Sequence, residues 1–175
     1  MKLIHASSGI ALRKIQIEDR ERLVTLANNP KVANNLRDGF PHPYTLEDAD
    51  QFIENAQAAS PTLRFCIEKE DVYVGNIGIH PQDDIYRRNA EIGYFIGEPY
   101  WGQGIASQAV KIIVDYGFQQ LDYHRIFAGV FSYNLASKKV LENAGFTFEG
   151  ASIDAVFKHG KLYDELRYAI INPSH

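Results

Sequence analysis

Glu98-Pro99-Tyr100-Trp101-Gly102-Gln103-Gly104-Ile105-Ala106-Ser107 is the stretch whose reading decides the fold. Downstream, Ile105, Ala109, Ile112, Ile113 and Tyr116 fall on one face of a helix, predicted from about Gly104 to Leu121. Upstream, Ala90 to Ile96 reads as a strand. The first turn of a helix has amides without internal partners, and its dipole makes that end positive, so an anion is held there. Gly102 and Gly104 remove side chains that would block phosphate oxygens, and Ala106 is small for the same reason. The stretch reads as a pyrophosphate cradle. It lacks the lysine of a nucleotide-triphosphate loop, so phosphoryl transfer is not implied. A plain strand-to-helix turn would need similar glycines, and a short Gly motif alone is weak.

Working outward, Ile10 to Ile17 alternates as a strand, with one slip. Glu18 to Asn28 carries Leu23, Leu26 and Ala27 at helical spacing and stops at Asn29-Pro30. A short helix is predicted over Val32 to Arg37. Thr45 and Asp48 form a capping-box pair ahead of a helix burying Phe52, Ile53 and Ala56. Leu63 to Lys69 and Val72 to His80 pair around Glu70-Asp71. Arg125 to Tyr133 is a strand, and Leu135 to Ala144 a helix ending at Gly145. Ala155 to Lys158 and Leu162 to Ile171 close the chain around His159-Gly160. This order predicts an α+β (mixed α/β) fold with a largely antiparallel central sheet.

The 175 residues fit one domain, 1–175 with its core at about 10–171. A single cysteine excludes an internal disulfide and fits a reducing compartment. No run reaches the roughly 20 apolar residues of a membrane span. Met1 to His5 has no long apolar core of a secretion signal, so a cytoplasmic protein without a membrane partner is expected. The net charge of −4 and the absence of a basic stripe argue against a nucleic-acid partner. No metal is expected.

A second block reads Asn134-Leu135-Ala136-Ser137-Lys138-Lys139-Val140-Leu141-Glu142-Asn143-Ala144-Gly145-Phe146. It resembles Asn-x-x-Ser-x-x-Val-Leu-Glu-x-x-Gly-Phe of the GNAT acetyltransferases. The first block resembles that family's acetyl-CoA loop, Arg/Gln-x-x-Gly-x-Gly/Ala. Tryptophan in its first slot is similar to the RimJ/RimL-type branch, as are Ala90 to Tyr94 and Leu36 to Tyr44. Two spaced motifs in the right order are far more specific than either alone.

The resemblance implies an acetyl-CoA-dependent N-acetyltransferase on a single-domain GNAT fold, with a twisted sheet whose middle strands splay apart. By resemblance, Trp101, Gly102, Gln103, Gly104, Ile105, Ala106 and Ser107 hold the pyrophosphate. Tyr94, Phe95 and Ile96 line the pantetheine, and Asn134 hydrogen-bonds it; Asn134 also suits a helix N-cap. The tyrosine many members use as acid falls at Leu141, so that role is vacant. Ser137 is the branch's candidate acid and a further cofactor contact, with a local helix-start bond as the bland alternative. Glu91 is the base candidate, against a salt bridge to Arg87 or Arg88. The late-strand glutamate of some members falls at Val156. His80, His124 and Tyr94 are lesser candidates, and Cys66 reads as a buried apolar residue.

The chemistry needs a neutral amine, a donor at the thioester carbonyl and a proton for the departing thiolate. Phe40, His42 and Tyr44 are candidate acceptor contacts in a rigid aromatic loop, which packing also explains. The acceptor is a protein N-terminal amine or a small molecule: amino sugar, polyamine, antibiotic or amino acid. A non-catalytic acyl-CoA sensor stands third. A homodimer is common in the family, but no mating surface shows in the sequence.

Overall fold

Capping chemistry punctuates the chain. Thr45 Oγ1 accepts Asp48 N–H at 3.2 Å while the Asp48 carboxylate accepts Thr45 N–H at 2.8 Å, closing the predicted capping box. Asn28 closes one helix and Asn29 caps the next, its side chain accepting Lys31 N–H with Pro30 at the first helical position. Glu70 and Asp71 both take positive φ, 50° and 62°, as a tight hairpin turn requires.

The computed structural model describes residues 2–4, as backbone, and 9–174. Met1 and His5, part of the segment read as lacking a secretion signal, lie outside the described residues. The strands are β1 (Lys2–Ile4), β2 (Ile10–Lys14), β3 (Arg64–Lys69), β4 (Val72–Pro81), β5 (Asn89–Ile96), β6 (Arg125–Phe131), β7 (Thr147–Lys158) and β8 (Lys161–Ile171). The helices are α1 (Arg20–Ala27), α2 (Pro30–Ala33), α3 (Leu46–Ala58), α4 (Ile105–Gln119) and α5 (Leu135–Asn143). The strand order is β1-β2-β3-β4-β5-β6-β8-β7. The fold is α+β and mostly antiparallel, with β5 and β6 parallel. Their pairing runs only from Asn89↔Arg125 to Glu91↔Phe127, and β6 continues from Ala128 to Phe131 beyond it.

Three boundaries differ most from the sequence expectation. The first predicted strand ends at Lys14 because Gln16 caps a 3-10 turn, Ile17–Asp19, with the Asp19 side chain returning to Gln16 N–H at 2.8 Å. The second helix begins at Pro30 and ends at Ala33 rather than covering Val32 to Arg37. Strand β7 starts at Thr147, eight residues ahead of Ala155, because almost all its side chains are exposed and no period-2 signal marks it.

Packing divides the chain into two compact units, Met1–Gly78 with Tyr94–Ile113, and Ile79–Gly93 with Val114–His175. In the first, Leu23, Leu26, Ala27, Ile53, Cys66 and Phe95 belong to one buried cluster. Cys66 is fully buried, as expected. In the second, the space beside Gly117 of α4 is filled by Ile79 and Ile126, and Gly145 sits against Ile170. Helices therefore cover the sheet face bearing Ile126 and Ile170. Alternation puts Arg125, Phe127, Gly129 and Phe131 of β6, with Tyr163, Glu165 and Arg167 of β8, on the opposite face.

Candidate active site

Gly102 and Gly104 take φ of 74° and 73°, a region only glycine enters at little cost. Nothing lies within 4 Å of where a side chain would begin at either position. The loop is thus bent by its glycines and open above them. The first bond of α4 runs from Gln108 N–H to Gly104 O at 3.3 Å. By helix geometry the amides of Ile105, Ala106 and Ser107 precede that ladder and have no partner within the helix. This is a cradle that fits a diphosphate.

The neighbours brace it. The Trp101 indole N–H donates to Ile96 O at 2.6 Å, so tryptophan pins the loop to the end of β5. Arg22 Nη2 donates to the Tyr100 hydroxyl at 2.5 Å, and Asn29 and Lys31 hold the Glu98 carboxylate. Those bonds, Lys31 first, keep the Glu98 carboxyl below its usual range. Lys69 Nζ reaches Gln103 Oε1 at 2.8 Å, placing a cation beside the loop that sequence reasoning missed. Nothing in the sequence marks Lys69, which arrives through pairing of distant strands.

Phe95 and Ile96 are buried, so their side chains pack in the interior; Tyr94 is half-buried. Phe40 contacts both Tyr44 and Phe95, at ring separations of 5.0 and 5.5 Å. Tyr44 is core, and burial pushes its phenol up to about 12, which removes it as an acid near neutral pH. Tyr73, buried beside Asn76, is also pushed up by burial. Of the aromatic loop, His42 is exposed.

In the second unit, Asn134 is the N-cap of α5, accepting Ser137 N–H at 3.1 Å. Its side-chain amide N–H groups are not used by that bond, so capping leaves a donor for a ligand. Ser137 is half-buried one turn in. Leu141 is fully buried, so the vacant tyrosine position is core. Glu91 is half-buried on the last β5 residue paired with β6, on the face carrying Phe127. Gln82 N–H bonds Asn89 O at 3.0 Å, a register that sets His80 opposite Glu91. His80 Nε2 lies 3.9 Å from where a Gly93 side chain would start. Arg88, one alternative partner for Glu91, pairs with Asp122 at 3.3 Å.

The glycine-bent loop before α4, the Asn-capped start of α5 and the three-residue β5–β6 pairing are each present. The acetyltransferase (GNAT) domain pattern matches residues 10–147. The chain belongs to the GNAT acetyltransferase family. It is 45% identical over 180 residues to the probable N-acetyltransferase YjcK of Bacillus subtilis (strain 168), covering 94% of each chain. It is 27% identical over 167 residues to the spermidine N(1)-acetyltransferase of Escherichia coli (strain K12), covering 94% of this chain and 87% of that one. Its fold matches RimL, the ribosomal L7/L12 α-N-protein acetyltransferase in complex with coenzyme A, at a TM-score of 0.86 and 21% identity over 98% of both chains. This GNAT protein is an acetyl-CoA-dependent N-acetyltransferase. Bound acetyl-CoA supplies an activated acetyl thioester. Among the described residues, no helix is long and apolar enough to cross a membrane.

Proposed function

We propose that this GNAT enzyme acetylates the α-amine of a polypeptide N-terminus. One observation carries the reading. The guanidiniums of Arg125 and Arg167 lie over the Phe127 ring, 4.9 and 5.1 Å from its centroid, on the sheet face that bears Glu91. A polyamine brings further ammonium groups to that face. Arg125 is paired with Glu149 and Arg167 stands 3.8 Å from Glu165, so the repulsion is partly offset, but a further ammonium finds no acceptor on a guanidinium. A peptide brings one ammonium followed by carbonyl oxygens, which guanidiniums attract. An α-amine, with its pKa near 8, also needs less help to lose its proton than a lysine amine near 10.4.

In this reading, the amides of Ile105, Ala106 and Ser107 hold the diphosphate, with Trp101 to Gly104 shaping the loop. Asn134 hydrogen-bonds the pantetheine, and Tyr94, Phe95 and Ile96 are further pantetheine contacts. Glu91 takes the amine's proton through water, and Ser137 gives one to the departing thiolate. Phe40 and His42 contribute to the acceptor cleft, and Tyr44 supports them from the core. The buried Cys66, in no disulfide, suits work in a reducing cytoplasm.

A small-molecule acceptor is the second reading, favoured by the spermidine acetyltransferase relative and the net charge of −4. Mass spectrometry of a mixed panel separates the two. Peptides with varied first residues, free amino acids and spermidine are offered together with acetyl-CoA. Acetylation of peptide α-amines ahead of spermidine is expected; a preference for spermidine refutes the proposal.

A further inference from the structure

The late-strand glutamate sought by sequence falls at Val156, but another carboxylate stands on the same hairpin. Glu165 lies on β8 opposite Phe131 of β6, diagonal to Gly129. A side chain on Gly129 would begin 2.7 Å from Glu165 Oε1 and 2.9 Å from Glu165 Cδ. The carboxylate therefore lies flat over bare β6 backbone, in space that only glycine leaves free. Gly129 is two residues past Phe127, the last β6 residue paired with β5. The Glu165 side chain is 20% exposed, so it is largely withdrawn from water yet still reachable.

Its cationic neighbour forms a long ion pair with it. Arg167 Nη2 stands 3.8 Å from Glu165 Oε2, beyond hydrogen-bonding distance, while its guanidinium rests on Phe127. Arg125, the other guanidinium on that ring, is committed to Glu149. Tyr163, on the same face as Glu165, meets Tyr133 edge to face at 4.7 Å. The result is an anion and a cation side by side, walled by aromatic rings, on the face that α4 and α5 leave uncovered.

We infer that Glu165 and Arg167 form a clamp for an α-amino acyl group, with Glu165 taking the ammonium and Arg167 the adjacent carbonyl oxygen. The inference rests on the proposed α-amine acceptor. The nitrogen and oxygen of such a group are three bonds apart, about 3 Å, which matches neighbouring charges of opposite sign. A plain alkylamine satisfies Glu165 alone. A polyamine satisfies Glu165 and sets its next ammonium against Arg167. The clamp is a specificity device: it positions the acceptor and leaves proton transfer to other groups. A peptide and a free amino acid share this head group, so the clamp admits both.

The test uses the full chain and its E165Q, G129A and R167M variants, with acetyl-CoA and four acceptors: a short peptide, a free amino acid, propylamine and spermidine. G129A keeps Glu165 in the sequence but displaces its carboxylate, so it checks placement without removing the charge. E165Q and G129A should each raise the peptide KM about 10- to 100-fold, the range for losing a hydrogen bond to a charged group. Their kcat and acetyl-CoA affinity should stay within about two-fold of wild type. R167M should raise KM for the peptide and amino acid but not for propylamine. Unchanged peptide KM in both E165Q and G129A overturns the clamp, as does an R167M penalty equal across all four acceptors. Wild-type preference for the free amino acid, with the same variant pattern, sustains the clamp and refutes the peptide reading. Wild-type preference for spermidine refutes both.

Discussion

Gly104 offers the sharpest perturbation of the cofactor loop. Its φ of 73° with nothing within 4 Å of a built side chain means that substitution causes backbone strain and no collision. A β-branched residue is a genuine outlier in that region. In Gly104→Val the loop either holds its shape at a cost of about 1–2 kcal/mol, or relaxes and turns amides away from the diphosphate. Losing one charge-assisted amide bond costs about 1.5–3 kcal/mol of binding. A relaxed loop therefore weakens affinity by about one to two orders of magnitude, while a loop that holds its shape loses stability instead. Isothermal titration of acetyl-CoA, beside a thermal melt, reads this directly. Gly97→Ala is the contrast. There a side chain would begin 2.5 Å from Leu26 Cδ2, inside packing, with no positive φ. It should lower stability by about 1–3 kcal/mol and leave affinity alone. If Gly104→Val melts and binds like wild type, the amide cradle is not what holds the cofactor.

Other consequences are open to the same measurements. Ser137→Ala should lower kcat while acetyl-CoA affinity stays near wild type; an unchanged rate clears Ser137 of the acid's role. Leu141→Ala empties a fully buried site and should cost about 2–5 kcal/mol in denaturant unfolding; a smaller loss would mean the site collapses around the gap. The bonds from Thr45, its hydroxyl first and then its backbone, hold the Asp48 carboxyl below its ordinary value of 3.8. A depressed folded value means the cap's contribution is present above the unfolded value and lost as pH falls through the folded one. Asp48→Asn should therefore flatten the loss of stability below about pH 4, and an identical acid limb would contradict the cap.

The bent glycine loop before α4 was legible because its signal is local. Two glycines at positive φ, a small residue and an amphipathic run all lie within one short stretch. The capping box at Thr45 and the hairpin at Glu70-Asp71 were legible for the same reason. Strand β7 was hidden because residues exposed on both faces carry no alternation, so pairing with β8 makes it a strand without help from its own pattern. Asn29-Pro30 reads as a helix stop, yet it starts the next helix, since proline at a first turn and proline after a last turn look alike in sequence. Lys69 beside Gln103 and Glu165 over Gly129 were beyond sequence reasoning, because each pairing joins residues more than thirty positions apart.

Amide-resolved NMR titration of the protein with coenzyme A tests the central claim most directly. The account predicts that the amides of Gly102 to Ser107 shift earliest and furthest and gain protection from hydrogen exchange. Saturating binding with those amides unmoved, and the large shifts elsewhere, would contradict it.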